Sequence, residues 1–260
     1  MNIGILLQSN TWYAIAIGAA VGSVAAYIGS LMVTKRMTLM AGPLGHLTLP
    51  GVALALIYNF DVSIGAIIFL TIGITCIWLL EKKTHLPIEA LTAIVFTASV
   101  ATAFLFLPEE KSQPALLGDI SQLTWQIVLI TVLISAIIFF IMHYIYNRMM
   151  LITISPDIAQ TNGIPVAWYN FIYLACIALM IALGVRIVGG LMTVALVAIP
   201  ASTSKNISRN LSAYAYVSLL CGGISCIVGI ILAQLILIPV GPAIILSSTA
   251  LFLLSLFIKR

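Results

Sequence analysis

Charged residues are scarce in this chain: Asp, Glu, Lys and Arg make up 7% of its 260 residues, while hydrophobic residues make up 62%. Soluble domains carry about 25% charged residues, so a soluble fold of this length would lack the charge to cover its surface. We therefore predict an all-α polytopic membrane protein, in which residues 1–260 form one transmembrane domain.

Three further absences narrow the function. No G-x-x-x-x-G-K-[ST] phosphate loop occurs, so ATP-driven transport would need a separate ATPase chain. The four cysteines lie inside apolar runs, without the spacing of disulfides or zinc sites, and we expect no permanently bound cofactor. The net charge of +4 is spread along the ends of apolar runs, which indicates contact with a lipid bilayer and no nucleic-acid partner.

Apolar runs long enough to cross a membrane fill most of the chain, since about 20 residues span a bilayer core. We predict eight or nine spans. The second, seventh and ninth are short, which is typical of broken or protein-enclosed helices. The predicted spans are Trp12–Val33, Leu44–Tyr58, Ser63–Leu80, Ile88–Leu107, Trp125–Tyr144, Val166–Leu183, Ile187–Ile199, Ala213–Ile236 and Ala243–Phe257.

The basic residues predict the orientation of these spans. Nine of the eleven follow odd-numbered spans, and only Lys111 and Arg186 fall on the other side. Because basic residues concentrate in cytoplasmic loops, the N-terminus is predicted outside and the C-terminus inside. The nine are Lys35, Arg36, Lys82, Lys83, Arg148, Lys205, Arg209, Lys259 and Arg260.

A run of helix-breaking residues surrounds His46 at the start of the second span. Broken helices inside membranes often line a substrate path, and an imidazole there is suited to binding a transition metal or relaying a proton. The alternative is a packed bend whose histidine bonds to a neighbouring carbonyl. The helix-breaking residues are Gly42, Pro43, Gly45, Pro50 and Gly51.

Asp119 lies just outside the fifth span and also has two interpretations. A carboxylate at the mouth of a path attracts cations, whereas an aspartate before a helix commonly caps it. The residue spacing alone favours the cap.

A polar segment begins at Pro200, between two apolar runs. Proline suits the first turn of a helix, and the hydroxyl residues that follow can cap its N–H groups. We predict a short cytoplasmic helix over about 200–211 that docks against a partner; the alternative is an ordinary basic loop. The predicted contact residues are Pro200, Ala201, Ser202, Thr203, Ser204, Lys205 and Arg209.

Four segments match one set of patterns in order along the chain. They are His46 with Thr48–Leu54 (S-H-x-x-L-P-G-V-A), Leu117–Ile120 (G-D-I), Asp157–Ile164 (D-x-x-A-x-x-x-G-I) and Val188–Ser204 (V-G-x-L-L-V-x-A-L-L-I-x-P-A-A-T-A). Through these segments the chain resembles the membrane permease subunit of the ABC importer family for zinc, manganese and iron(II).

The resemblance implies a type II ABC importer-like permease that works by alternating access in a prokaryotic cell membrane. It implies a homodimer, two cytoplasmic ATPase subunits and an extracytoplasmic metal-binding protein or lipoprotein. The divalent metal would be the transported substrate, His46 and Asp119 would be path residues, and the segment after Pro200 would be the coupling helix.

The chain departs from the family at the predicted path. The family usually has aspartate and serine where Gly42 and Gly45 stand here, and the stretch Ile236–Gly241 lacks the acidic residue common before the last span. Because imidazole suits zinc and carboxylate suits manganese, this loss predicts weaker binding of manganese than of zinc. A permease for metal chelates, or a secondary transporter without an ATPase, are the alternatives.

Overall fold

The computed structural model describes residues 9–37, 41–84, 86–106, 124–188 and 193–257. Within these ranges the backbone forms eleven helices and the turns between them, without a strand. The helices are α1 (Ser9–Thr34), α2 (Ala41–His46), α3 (Leu49–Tyr58), α4 (Val62–Thr84), α5 (Ile88–Phe106), α6 (Trp125–Ile154), α7 (Pro156–Thr161), α8 (Val166–Val188), α9 (Thr193–Ile207), α10 (Leu211–Ile236) and α11 (Val240–Leu256).

Five helices are long and apolar enough to cross a membrane, namely α1, α4, α6, α8 and α10. The helices α5 and α11 are apolar but shorter. This confirms the prediction of an all-helical chain with several membrane spans. Seven of the nine predicted spans each overlap one described helix; the second is divided between α2 and α3, and the seventh overlaps the end of α8 and the first part of α9.

The helix that contains the fifth predicted span is longer than the span. The span is predicted to end at Tyr144, and α6 continues to Ile154. The extra turns bury Ile145, Met149 and Ile152 along one face, so packing continues the helix beyond the apolar run. Ser155 then ends α6 in an extended conformation, and its hydroxyl accepts a hydrogen bond from the N–H of Ile158 at 3.4 Å to begin α7.

Helix α1 lies at the centre of the bundle and packs against α6, α8, α9 and α10. A close approach between α1 and α10 occurs at Gly22 and Gly222, where a β-carbon on Gly222 would overlap the carbonyl oxygen of Gly22. Small residues allow such close packing of helix backbones in membranes, where van der Waals contact is the main attraction between helices.

A second close approach joins α3 to α4. A β-carbon on Gly51 would overlap the carbonyl group of Gly65, and one on Gly65 would overlap the carbonyl group of Gly51. The turn between the two helices includes Asn59, whose φ of 55° gives α3 a left-handed C-cap. The chain thus folds back tightly just after the predicted helix break.

Candidate functional site

The predicted helix break is present between α2 and α3. Helix α2 ends at His46, and α3 begins at Leu49. Between them Leu47 and Thr48 form a turn, in which the Thr48 hydroxyl donates to the carbonyl of Gly45 at 2.7 Å. The break is therefore a bend between two short helices at the start of the second predicted span.

Pro50 accounts for the position of the bend. It is the second residue of α3, where a missing N–H leaves no helical bond unmade within α3 itself. It has no N–H to donate to the carbonyl of His46, which favours the break between α2 and α3. Ser99 of α5 reaches the bend from outside and donates to the carbonyl of Leu47 at 3.5 Å.

His46 is half-buried at the end of α2. Its Nδ1 atom is buried and has no hydrogen-bond partner in the part of the chain that the structure describes. Its ring lies 5.4 Å from the ring of Phe96 on α5, with the two planes tilted by 40°. Nδ1 is thus a buried ring nitrogen without a partner among the described residues, and the choice between a path histidine and a packed bend stays a prediction.

The other residues of the predicted break have different positions. Gly42, Pro43 and Gly45 lie within α2, with Gly45 buried. The prediction that Gly51 breaks the helix is wrong, because Gly51 lies inside α3 and serves the contact with Gly65. The bend itself rests on Pro50.

The predicted partner of His46, Asp119, lies outside the described residues, so its role stays a prediction. Among the described residues, no three His, Cys, Asp or Glu side chains come close enough together to hold a metal ion. The described part of the bend thus offers a single imidazole and no multi-ligand cage.

The segment after Pro200 is not a separate helix. Pro200 lies inside α9, which runs without a break from Thr193 to Ile207. Ser202 donates to the carbonyl of Ala198 at 2.8 Å, and Thr203 donates to the carbonyl of Ile199 at 2.9 Å. These hydroxyl groups therefore bond to carbonyls of the preceding turn instead of capping a new helix.

The small residues after Pro200 contact the chain's own helices. Ala201, Thr203 and Ser204 are 0%, 2% and 0% exposed, so in this conformation they are covered by the chain itself, and their predicted contact with a partner stays a prediction. Ser204 donates to the carbonyl of Tyr214 on α10 at 2.7 Å, which fixes the two helices together.

Two of the predicted contact residues are exposed at this end of α9. Lys205 lies in the last turn of the helix, and Arg209 lies in the turn that leads to α10. The predicted helix over about 200–211 would hold both residues, but the observed helix ends at Ile207, so Arg209 lies beyond it. Asn210 then caps α10 by accepting a hydrogen bond from the N–H of Ala213 at 2.8 Å.

A cluster of polar side chains joins α1 to α6, and no sequence pattern predicts it. The Tyr27 hydroxyl lies 3.3 Å from Nδ1 of His143, and the Ser30 and Tyr146 hydroxyls are 3.0 Å apart. Each pair is separated by 116 residues, so no local pattern in the sequence indicates it. The cluster stabilises the packing of two long helices by polar contacts.

A sequence model of the ABC 3 transport family matches residues 8–259 of this chain. The chain belongs to the ABC 3 transport family. This membership confirms the resemblance stated from the sequence, and it covers the bend at His46 as well as α9 and α10.

Relatives within the ABC 3 transport family carry names that refer to two metals. The chain is 26% identical over 243 residues to the manganese import system permease protein ScaB of Streptococcus parasanguinis, covering 92% of this chain and 87% of ScaB. It is also 26% identical over 250 residues to the high-affinity zinc uptake system membrane protein ZnuB of Haemophilus influenzae, covering 94% and 95%.

A solved structure shares the fold of this family member. PsaBC from Streptococcus pneumoniae in complex with Fab superposes with a TM-score of 0.85 at 23% identity, covering 99% of this chain and 94% of that chain. The likeness shows that the two chains share one fold.

Proposed function

We propose that this chain is the permease subunit of an ATP-driven importer of divalent transition metal ions. A separate ABC ATPase would drive alternating access, and an extracytoplasmic metal-binding protein would deliver the ion. The chain would act as a homodimer with the type II importer arrangement, as one domain in a prokaryotic cell membrane, with its N-terminus outside and its C-terminus inside.

The observation that carries the proposal is the half-buried His46 at a helix bend, with Nδ1 unbonded in the described structure. Family membership adds transport as the context, and the names of ScaB and ZnuB add manganese and zinc as candidate ions. An imidazole nitrogen is a good ligand for zinc and other transition metals. A single ligand from the described part of each chain suits brief contact with a passing ion better than permanent retention.

The proposed contact with the ATPase is at the turn between α9 and α10. Lys205 and Arg209 are exposed there, while the neighbouring small residues are buried within the chain. Two cations on an exposed turn fit an acidic groove on a partner, and their contribution should weaken as salt screens it.

Metal uptake in whole cells tests the proposed path. We expect His46→Ala, expressed with its ATPase and binding protein, to lower uptake of zinc by tenfold or more. His143→Ala is the matched control, because His143 also lies on a membrane helix but bonds to Tyr27 at 3.3 Å, away from the bend. Unchanged uptake of zinc, manganese and iron in His46→Ala cells at equal protein levels would overturn the proposal.

Competition between metals in the same assay tests the predicted preference. Since Gly42 stands where a carboxylate is usual, manganese should compete with labelled zinc poorly. Stronger competition by manganese than by unlabelled zinc would contradict the role given to Gly42.

Co-purification tests the ATPase contact separately. The double variant Lys205→Glu and Arg209→Glu should lower the yield of co-purified ATPase several-fold at low salt. Lys83→Glu, which changes an exposed lysine of α4, should leave the yield unchanged. If the wild-type chain retains no ATPase under any salt condition, the transporter does not need one and the proposed drive is wrong.

A further inference from the structure

A cleft of ≈ 510 Å³ opens where the ends of four helices meet. Its walls come from the end of α1 and the residues that follow it, from the end of α6 with Pro156 of α7, and from the first residues of α5 and α8. Because α1, α6 and α8 are long and apolar enough to cross a membrane, the cleft lies at one end of three candidate spans. The polar lining residues include Lys35, Arg36, Glu89, Thr153 and Asn170.

Lys35 brings a partly buried cation to this cleft. Its Nζ atom donates to Oδ1 of Asn170 at 3.0 Å and lies 5.0 Å from the ring centroid of Tyr173. Burial lowers the pKa of Lys35 to about 8, and the carboxylates of Glu81 and Glu89 oppose this lowering. Asn170 and Tyr173, which contact the ammonium group directly, are neutral. An anion bound in the cleft would therefore favour the charged form of Lys35.

Arg36 brings the second cation in an unusual backbone conformation. Its φ of 59° is left-handed, and α1 ends with a bond from the N–H of Met37 to the carbonyl of Met32 at 2.9 Å. Glycine is the usual residue at this position of a helix end, because a side chain is disfavoured there. The chain therefore places an exposed guanidinium on the wall of the cleft where a glycine would hold the turn more easily.

Most of the other lining residues are apolar. They include Met37, Ile88, Ile152 and Val166. Aromatic rings also cluster near the beginning of α8 and the end of α4: ring centroids of Trp168 and Phe171 are 5.8 Å apart, those of Phe171 and Trp78 are 5.3 Å apart, and Nζ of Lys82 lies 3.7 Å from the Trp78 ring. Tryptophans beside lysines are typical of the membrane–water interface.

We propose that this cleft binds the headgroup of an anionic phospholipid such as phosphatidylglycerol. The lipid phosphate lies between Lys35 and Arg36, with Nδ2 of Asn170 as a further donor, since Oδ1 already accepts from Lys35. Hydroxyl groups of the headgroup donate to Glu89, and the apolar walls take the glycerol backbone and upper acyl chains. Basic pockets between membrane helices bind anionic headgroups in this way. A free phosphate ion has no apolar groups to pack against the apolar walls of the cleft.

Lipid titration of the purified full-length chain tests the proposal. Thermal stabilisation in a neutral detergent is measured against phosphatidylglycerol, phosphatidylcholine and glycerol 1-phosphate. Because each basic residue near an anionic surface contributes a factor of about five to affinity, we expect phosphatidylglycerol to bind at least fivefold more tightly than phosphatidylcholine. Glycerol 1-phosphate should stabilise the chain little.

Arg36→Gly is the decisive variant. It removes the cation but suits the left-handed backbone, so the lipid-free chain should unfold at the same temperature or higher. Its affinity for phosphatidylglycerol should fall about fivefold, and adding Lys35→Met should lower the affinity by a further factor of about five. Lys83→Gln, which removes an exposed charge outside the cleft lining, should change affinity less than twofold.

Four results would overturn the proposal. These are equal binding of the two phospholipids, equal binding of glycerol 1-phosphate, an equal loss in Lys83→Gln, and lipid affinity unchanged in both cleft variants. If the cleft variants keep lipid affinity but lose a co-purifying protein, the cleft is a protein-docking surface instead.

Discussion

A single added methyl group at Gly51 should separate α3 from α4. A β-carbon at this position would overlap the carbonyl group of Gly65 and lie 3.1 Å from the nitrogen of Ala66. All of these neighbours are backbone atoms, so no side chain can rotate to make room. Non-bonded heavy atoms prefer a separation of about 3.5–4.0 Å, so the helices must move apart by about 1 Å or more.

Two opposing effects set the size of the loss. Replacing glycine by alanine inside a helix favours the helix by about 1 kcal/mol. Overpacking of a tight contact costs about 1–3 kcal/mol, and separation of the helices also loses dispersion contacts along α3. The net destabilisation should be about 1–2 kcal/mol, which corresponds to a fall in Tm of roughly 3–8 °C for a chain of this size.

Gly73→Ala on α4 provides the matched control. The nearest atom to its added β-carbon is Cδ1 of Leu47 at 2.8 Å, the far end of a flexible side chain that can move. Its Tm should stay the same or rise slightly. The measurement is thermal unfolding of the purified full chains in one detergent, and a Tm of Gly51→Ala equal to or above that of Gly73→Ala would refute the reasoning.

Two further predictions concern the side chains of Lys35 and Ser204. The folded pKa of Lys35 is about 8 and its ordinary value is 10.5, so between these values the unfolded chain holds a proton that the folded chain has released. The free energy of unfolding should therefore rise with pH across this window, by on the order of 3 kcal/mol. In denaturant titrations Lys35→Met should flatten this rise. If the free energy of unfolding of the variant rises with pH as steeply as that of the wild type, the burial of the Lys35 ammonium group is contradicted. Ser204→Ala loses the 2.7 Å hydrogen bond to the carbonyl of Tyr214 and should lower the free energy of unfolding by about 1 kcal/mol in the same titrations. Ser202 is only half-buried, so Ser202→Ala should lower it by less.

Helix positions could be predicted because membrane spans are defined by apolar length, which is a local property of the sequence. Helix ends were predicted less well where packing decides them, as in the extension of α6 to Ile154. Pro200 was assigned to a helix start because proline suits that position in water-soluble proteins. In the fold the hydroxyls of Ser202 and Thr203 bond to carbonyls beside the proline, and the helix continues.

The bend at His46 could also be predicted, because Pro50 favours a break between α2 and α3. The contacts around the bend could not, since Ser99 reaches the Leu47 carbonyl across 52 residues of sequence. The cleft at Lys35 depends on Asn170, 135 residues away, and no periodicity or motif connects the two. Local patterns thus predict where the backbone bends, while the side chains that meet there depend on the tertiary fold.

The unbroken course of α9 has a mechanical consequence. A proline hinge at Pro200 would let the exposed turn at Arg209 swing while the interior stayed still. With the proline inside a continuous helix, and Ser204 tied to the carbonyl of Tyr214, the turn and the first part of α10 are stiffly joined to the interior. A force on that turn therefore tilts α9 and the first part of α10 together. Helix α1 packs against both of them, so it is expected to tilt as well.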